Sequence, residues 1–260
     1  MKKIELESYN LNIFLKDLKE LNISLSENQL CQFMQYYELL IEWNQVMNLT
    51  AITDFDEVCK KHFIDSLSLI KVYDGDSDTN SGNKSKIYSS ASVIDVGTGA
   101  GFPGIPLKIV FPDMKITLLD SLNKRINFLQ TVINELELKN IEAIHGRAED
   151  FAGKGKLREK YDLCVSRAVA NLSTLSEYCL PYVKVGGKFI SYKSEKIAEE
   201  MAGAEKAIAI LGGKVEKQVK FMLPDSDIYR NLVVVYKCKN TPAKYPRKAG
   251  IPAKEPIKDI

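Results

Sequence analysis

Residues 93–104 read VIDVGTGAGFPG. A short apolar run enters a glycine-rich turn, and the next residues, IPLKIV, continue as a helix that Pro112 closes. That strand–turn–helix context is what gives a glycine pattern meaning. Glycines open backbone torsions closed to other residues and let a ligand approach the chain closely. In a doubly wound sheet, ligands lie beyond the carboxyl ends of the strands, so this loop is where a nucleotide-like cofactor would sit. The glycines alone do not choose the cofactor. A dinucleotide fingerprint starting at Gly97 fails at Phe102, whereas one starting at Gly99 is formally satisfied by Gly101 and Gly104. Two carboxylates shift the balance. Asp95, just before the first glycine, suits the ammonium group of a cofactor with an amino-acid end and would repel a pyrophosphate. Asp120 ends the next apolar run, where a carboxylate would hold two ribose hydroxyls, a feature shared with NAD. The reading is S-adenosylmethionine; an NAD(P)-binding dehydrogenase is its rival from another class.

Strand-like and helical segments alternate after the loop. Strands are expected at residues 92–96, 115–119, 141–144, 161–165, 187–192, 214–222 and 231–236, with helices at 104–110, 123–138, 172–183 and 195–211. Apolar strands in this alternation imply a mostly parallel sheet covered on both faces. Upstream, Ser26 with Gln29 forms a helix-start signal. Leu30, Phe33, Met34, Tyr37, Leu40 and Ile41 then follow at helical intervals. A shorter amphipathic segment spans residues 13–21, and Thr53-Asp54 opens another helix carrying Val58, Phe63, Leu67 and Ile70. The expected organisation is a helical region at 1–73, a flexible linker at 74–92, a core domain at 93–238 and a basic, Pro-rich tail at 239–260. The linker reading rests on DGDSDTNSGNKSKIYSSAS, too poor in apolar residues to repay the entropy of ordering.

Composition bounds the partners. A net charge of +2 makes the chain no basic cloud, so any nucleic-acid surface must come from local clustering. No apolar run is long enough for a membrane span, and the N-terminus carries carboxylates where a leader needs an apolar stretch. A cytoplasmic protein, expected to act as a monomer, is the consequent reading. The five scattered cysteines and two histidines suggest neither a disulfide framework nor a metal site.

Further motifs resemble the bacterial 16S ribosomal RNA guanine-N7 methyltransferases, the glucose-inhibited division protein B family. They are EWN at 42–44 with MNLT at 47–50, KHFIDS at 61–66, DVGTGAGFPGIP from Asp95, and LDSLNKR at 119–125. GRAED at 146–150, SRA at 166–168 and TPAKYPRKAGIPAK from Thr241 complete the series. The resemblance implies a class I S-adenosylmethionine-dependent methyltransferase: a Rossmann-like, seven-stranded, mostly parallel sheet with an N-terminal helical extension. It implies cofactor contacts at Gly97 and Phe102, at Ala148 and Glu149, and at Arg167; Gly99, Asp120 and Ser121 join them from the reading of the strand ends. It also implies 16S rRNA, or a small-subunit assembly intermediate, as the partner.

N7 of guanine carries a free lone pair, so its methylation needs alignment and electrostatics rather than a base. Consistently, the chain lacks the Asn/Asp-Pro-Pro-aromatic motif of amino-group methyltransferases and has Ser166-Arg167-Ala168 at the corresponding place. Arg167 is the candidate catalytic residue, holding a phosphate or the cofactor carboxylate. Lys61, Arg125, Arg147, Lys193, Lys244, Arg247 and Lys248 are candidate RNA contacts, with Lys60, Lys124 and Arg230 behind them. His62 reads as structural or RNA-contacting, Trp43 as packing, and Tyr192 with Lys193 as candidates to border the base pocket. Deleting residues 241–260 is expected to weaken RNA binding and spare cofactor affinity.

Overall fold

A computed structural model describes residues 4–73, 90–153, 157–167, 170–194 and 197–257. Most of the expected linker, residues 74–89, lies outside them. Strands β1 (Ser92–Val96), β2 (Lys115–Asp120), β3 (Ile141–His145), β4 (Tyr161–Arg167), β5 (Val183–Lys193), β6 (Gly213–Met222) and β7 (Tyr229–Lys237) form one sheet. Its order is β3-β2-β1-β4-β5-β7-β6. The first five strands run parallel, and β7 lies antiparallel between β5 and β6. Ending the sheet with an inserted antiparallel hairpin departs from the parallel dinucleotide order, which weakens the dehydrogenase reading.

Alternate strand residues face opposite sides, and both sides are filled. Val93, Leu118, Leu163, Val165, Ile190, Leu232 and Val234 enter one core with the Gly104–Val110 and Asn123–Glu135 helices. Their neighbours Ile94, Leu119, Cys164, Phe189, Val233 and Val235 enter a second core with the Leu172–Cys179 and Ala198–Ile210 helices. The latter helix starts at Ala198 rather than 195, and residues 195–196 are not described.

The N-terminal helices share the first of these cores. Ser26 and Gln29 cap the Glu27–Met47 helix reciprocally, as the sequence predicts. Phe14 of the Asn12–Glu20 helix, Phe33, Tyr36 and Phe63 then pack as one aromatic cluster reaching Phe102 in the glycine loop. Tyr36, absent from the expected apolar face, is fully buried and donates to the Ala100 carbonyl at 2.5 Å. Trp43 packs on Phe128.

The helix expected from Thr53-Asp54 is broken. Asp54 caps Phe55–Val58, a π-helical turn covers Cys59–Ile64, an α-turn Asp65–Leu67 follows, and Ser68–Tyr73 tightens to 3-10 geometry. Single π-turns within helices concentrate at functional sites, and this one carries Lys61 and His62.

Two loop glycines are required by close approach. A Cβ at Gly101, whose φ is +101°, would lie 2.8 Å from the Tyr36 hydroxyl; one at Gly104 would lie 2.3 Å from Leu118 Cδ2. The glycine loop is thus clamped between the N-terminal helices and β2.

Candidate active site

The strand order reverses between β1 and β4, and a cleft of about 610 Å³ opens there beyond the carboxyl ends of the strands. This is where open α/β sheets bind ligands, and the size falls within the usual small-molecule range. Gly97, Gly99 and Phe102 come from the loop after β1, Asp120 and Ser121 from the end of β2, and Ala148 and Glu149 from beyond β3. Arg167 ends β4. All eight line the cleft.

Asp95 lies behind this wall. It is fully buried in β1, and its Oδ2 accepts from Thr98 Oγ1 (2.7 Å) and from the Gly104 amide (2.9 Å). It therefore staples the two ends of the loop through Oδ2, while its buried Oδ1 has no hydrogen-bond partner among the described residues. Burial pushes its carboxyl up to about 6, against the lowering effect of those two hydrogen bonds and of Arg167. Asp120 faces the cleft and organises its own neighbourhood: Oδ2 accepts from the Gly99 amide (2.9 Å) and Arg125 Nη1 (3.2 Å), and Oδ1 from the Leu122 amide (2.9 Å).

Arg167 is held on three sides. Its Nη1 donates to the Lys61 carbonyl (3.1 Å) and Asp65 Oδ2 (3.0 Å), and its Nη2 meets His62 Nδ1 at 3.3 Å. Its guanidinium lies 5.0 Å from the centre of the Phe102 ring, on which His62 also stacks at 4.6 Å. Buried Asp65 uses its other oxygen to accept from Arg230 Nε at 2.8 Å, so one carboxylate bridges two arginines. Thr50, Tyr178, Gly250 and Ala253, not among the expected site residues, also line the cleft with His62, expected to be structural or RNA-contacting, and Asp65 stands behind it. MNLT and KHFIDS contain three of these residues, but only the folded π-turn shows that they converge on Arg167.

His62 must be neutral here. Arg167 only donates and faces His62 Nδ1 at 3.3 Å, which favours the tautomer with the ring proton on Nε2. Burial, with Arg167 beside it, lowers its pKa to about 4 from an ordinary 6.5. The folded value lies below the unfolded one, so this stabilisation is present above pH 6.5 and is lost as pH falls towards 4. In urea melts across that window, His62→Gln is expected to show a shallower loss of stability than the parent chain.

The basic candidates divide. Arg125 and Arg147 line the cleft. Lys61 pairs with Glu57 at 2.6 Å. Lys193 is turned inward to Glu200 and the Ala170 carbonyl, both at 2.7 Å. Tyr192 is buried with its hydroxyl on the Ser66 carbonyl, and neither it nor Lys193 lines the cleft. Lys60 pairs with buried Asp17, and Arg230 with Asp65. Lys60, Lys193 and Arg230 thus each have an internal acceptor or partner in this fold.

Residues 239–257 of the tail are packed onto the domain. Thr241 is buried, Lys244 sits over the Tyr245 ring, and Lys248 is exposed. Arg247 pairs with buried Glu177 through Nε and Nη2 at 2.6–3.1 Å. Beyond it, the Gly250 amide donates to Glu149 Oε1 at 2.9 Å, and Gly250 and Ala253 line the cleft. The expectation that removing the tail spares the cofactor is therefore revised. Truncation after Lys248, which keeps the Arg247–Glu177 anchor, is expected to raise the cofactor Kd about fivefold to tenfold in a calorimetric titration.

The donor set fits S-adenosylmethionine. The strand-end carboxylate of Asp120 is suited to ribose hydroxyls, Glu149 with its neighbouring amides to an adenine edge, and Arg167 to a carboxylate. The family model for rRNA small subunit methyltransferase G matches residues 29–229. The ribosomal RNA small subunit methyltransferase G of Lachnoclostridium phytofermentans is 56% identical over 244 residues, covering 94% of this chain and 96% of that one. The protein of the same name from Desulforamulus reducens is 54% identical over 249 residues, covering 95% and 99%. Among solved structures, a mutant of MtNAS in complex with S-adenosylmethionine superposes with a TM-score of 0.51 at 16% identity, over 90% of this chain and 81% of that one; this likeness concerns the fold. With the class I fold, the strand-end cleft and these relatives together, the chain belongs to the rRNA small subunit methyltransferase G family.

Proposed function

We propose that the cleft holds S-adenosylmethionine along the strand ends, its adenosine towards Asp120 and Glu149 and its amino-acid end towards Arg167, and receives a guanosine of 16S rRNA beside His62. The chain belongs to the rRNA small subunit methyltransferase G family, and in this reading the acceptor is N7 of the guanosine. When bound, S-adenosylmethionine supplies an electrophilic methyl group on a sulfonium centre. The protein's own task is alignment. Arg167 anchors a negative group, Phe102 and His62 form a flat wall, and the clamped glycine loop fixes the floor.

One observation carries this reading. Each histidine or carboxylate on the described cleft wall already has a structural partner: His62 with Arg167 and Thr50, Asp120 with Gly99, Leu122 and Arg125, and Glu149 with Gly250. A wall with its proton acceptors so engaged suits a nucleophile that has no proton to lose, as N7 has none. The RNA approaches past Arg125, Arg147 and Lys61, with Lys244 and Lys248 following on the docked tail. The working form is a cytoplasmic monomer acting on 16S rRNA or on an assembly intermediate that still exposes the guanosine.

Incubation with labelled S-adenosylmethionine and deproteinised 16S rRNA, assembled small subunits or transfer RNA tests the reading. N7-methylguanosine should carry the label, from ribosomal RNA alone. Label on an exocyclic amine, a ring carbon or a ribose hydroxyl would overturn it.

A further inference from the structure

Thr50 is absent from the expected site residues, yet it lines the cleft beside His62. Its backbone is fixed, because its amide donates to Asn44 Oδ1 at 2.9 Å. Its hydroxyl is more tightly determined still. The Ile52 amide donates to Thr50 Oγ1 at 3.0 Å, and His62 Nε2 lies 2.8 Å from the same oxygen. We assign the imidazole proton to Nε2, pointing at Thr50, because Arg167 is a pure donor and faces Nδ1 at 3.3 Å. Both lone pairs of the hydroxyl are thereby filled. The remaining capacity of Thr50 is one O–H, for which no acceptor stands among the described residues.

We propose that the relay Arg167–His62–Thr50 makes the Thr50 hydroxyl an obligate donor facing the cleft, and that it selects guanine by donating to O6 of the target base. This rests on the proposed N7 chemistry. Beside N7, guanine presents an acceptor, O6, whereas adenine presents an amino donor. A hydroxyl free to rotate would accept from the adenine amine as readily as it donates to O6. One with both lone pairs occupied pairs with guanine and leaves the adenine amine unpartnered. Thr50 is thus a specificity-determining residue, and His62 and Arg167 fix its direction.

The test places 2-aminopurine, which keeps N7 and lacks O6, at the guanosine that the full-length protein methylates. The parent chain should prefer guanine over 2-aminopurine by about tenfold to a hundredfold in kcat/KM, the range for one buried hydrogen bond. Thr50→Val should lose that preference, falling further on guanine than on 2-aminopurine. Thr50→Ser should restore it. Where Thr50→Val fails to fold, Thr50→Ala gives the same readout. Equal losses on both bases, or no loss on guanine, overturn the inference. If the parent chain methylates neither base, the N7 reading itself fails, a separate outcome.

Discussion

Arg167→Ala is expected to lower kcat/KM for methyl transfer by about 10²–10³-fold, the usual cost of removing a fixed donor from a desolvated site. The size of the effect follows from how the side chain is held. Only 14% of it is exposed, and Asp65, the Lys61 carbonyl and His62 fix its donors. Removal therefore deletes a preorganised positive charge, not a mobile one that solvent could replace. It also frees His62 Nδ1 and so unlocks the orientation of Thr50. Arg167→Lys should recover little, because one ammonium cannot span the Lys61 carbonyl, Asp65 and His62 together. Single-turnover kinetics with saturating cofactor separate the chemical step from binding. Parent rates in Arg167→Ala would show that this arginine has no part in the reaction.

Asp65→Ala should be the most damaging change to stability. Asp65 is 2% exposed and bridges Arg167 and Arg230. Its removal leaves two partly buried guanidinium groups with their shared counter-charge gone, which costs about 3–5 kcal/mol by analogy with other broken buried pairs. Against a total stability of about 5–15 kcal/mol for an ordinary domain, that shifts the urea midpoint far or abolishes folding. Asp65→Asn keeps the shape and one acceptor oxygen, and should fall between. Equal urea midpoints for Asp65→Ala and the parent chain would contradict the bridging role.

Much of this was legible in the sequence, for identifiable reasons. Strands β1, β2 and β4 declare themselves through apolar runs, because burial on both faces leaves little room for polar residues. The glycine loop stands out because close packing on Tyr36 and Leu118 excludes side chains at Gly101 and Gly104. What stayed hidden is long-range. The Gln29–Ser26 cap is local and readable, whereas Tyr36 reaching Ala100, 64 residues away, is not. Lys193 and Arg247 look like solvent-facing charges until the fold brings up Glu200 and Glu177. Residues 55–73 carry an apolar period compatible with one continuous helix, and nothing in that period marks the π-turn that lifts His62 and the Lys61 carbonyl towards Arg167. The tail illustrates the same limit. Its prolines and lysines read only as a basic, Pro-rich tail, yet the Glu149–Gly250 and Glu177–Arg247 contacts seat it against the cleft.

Whether this cleft, organised around Arg167, methylates N7 of a guanosine in 16S rRNA is tested most directly in a strain lacking the gene, by mass analysis of its nuclease-digested 16S rRNA. One N7-methylguanosine should disappear, return when the parent chain is supplied, and stay absent with Arg167→Ala. An unchanged complement of N7-methylguanosine in the deleted strain, or full restoration by Arg167→Ala, would contradict that assignment.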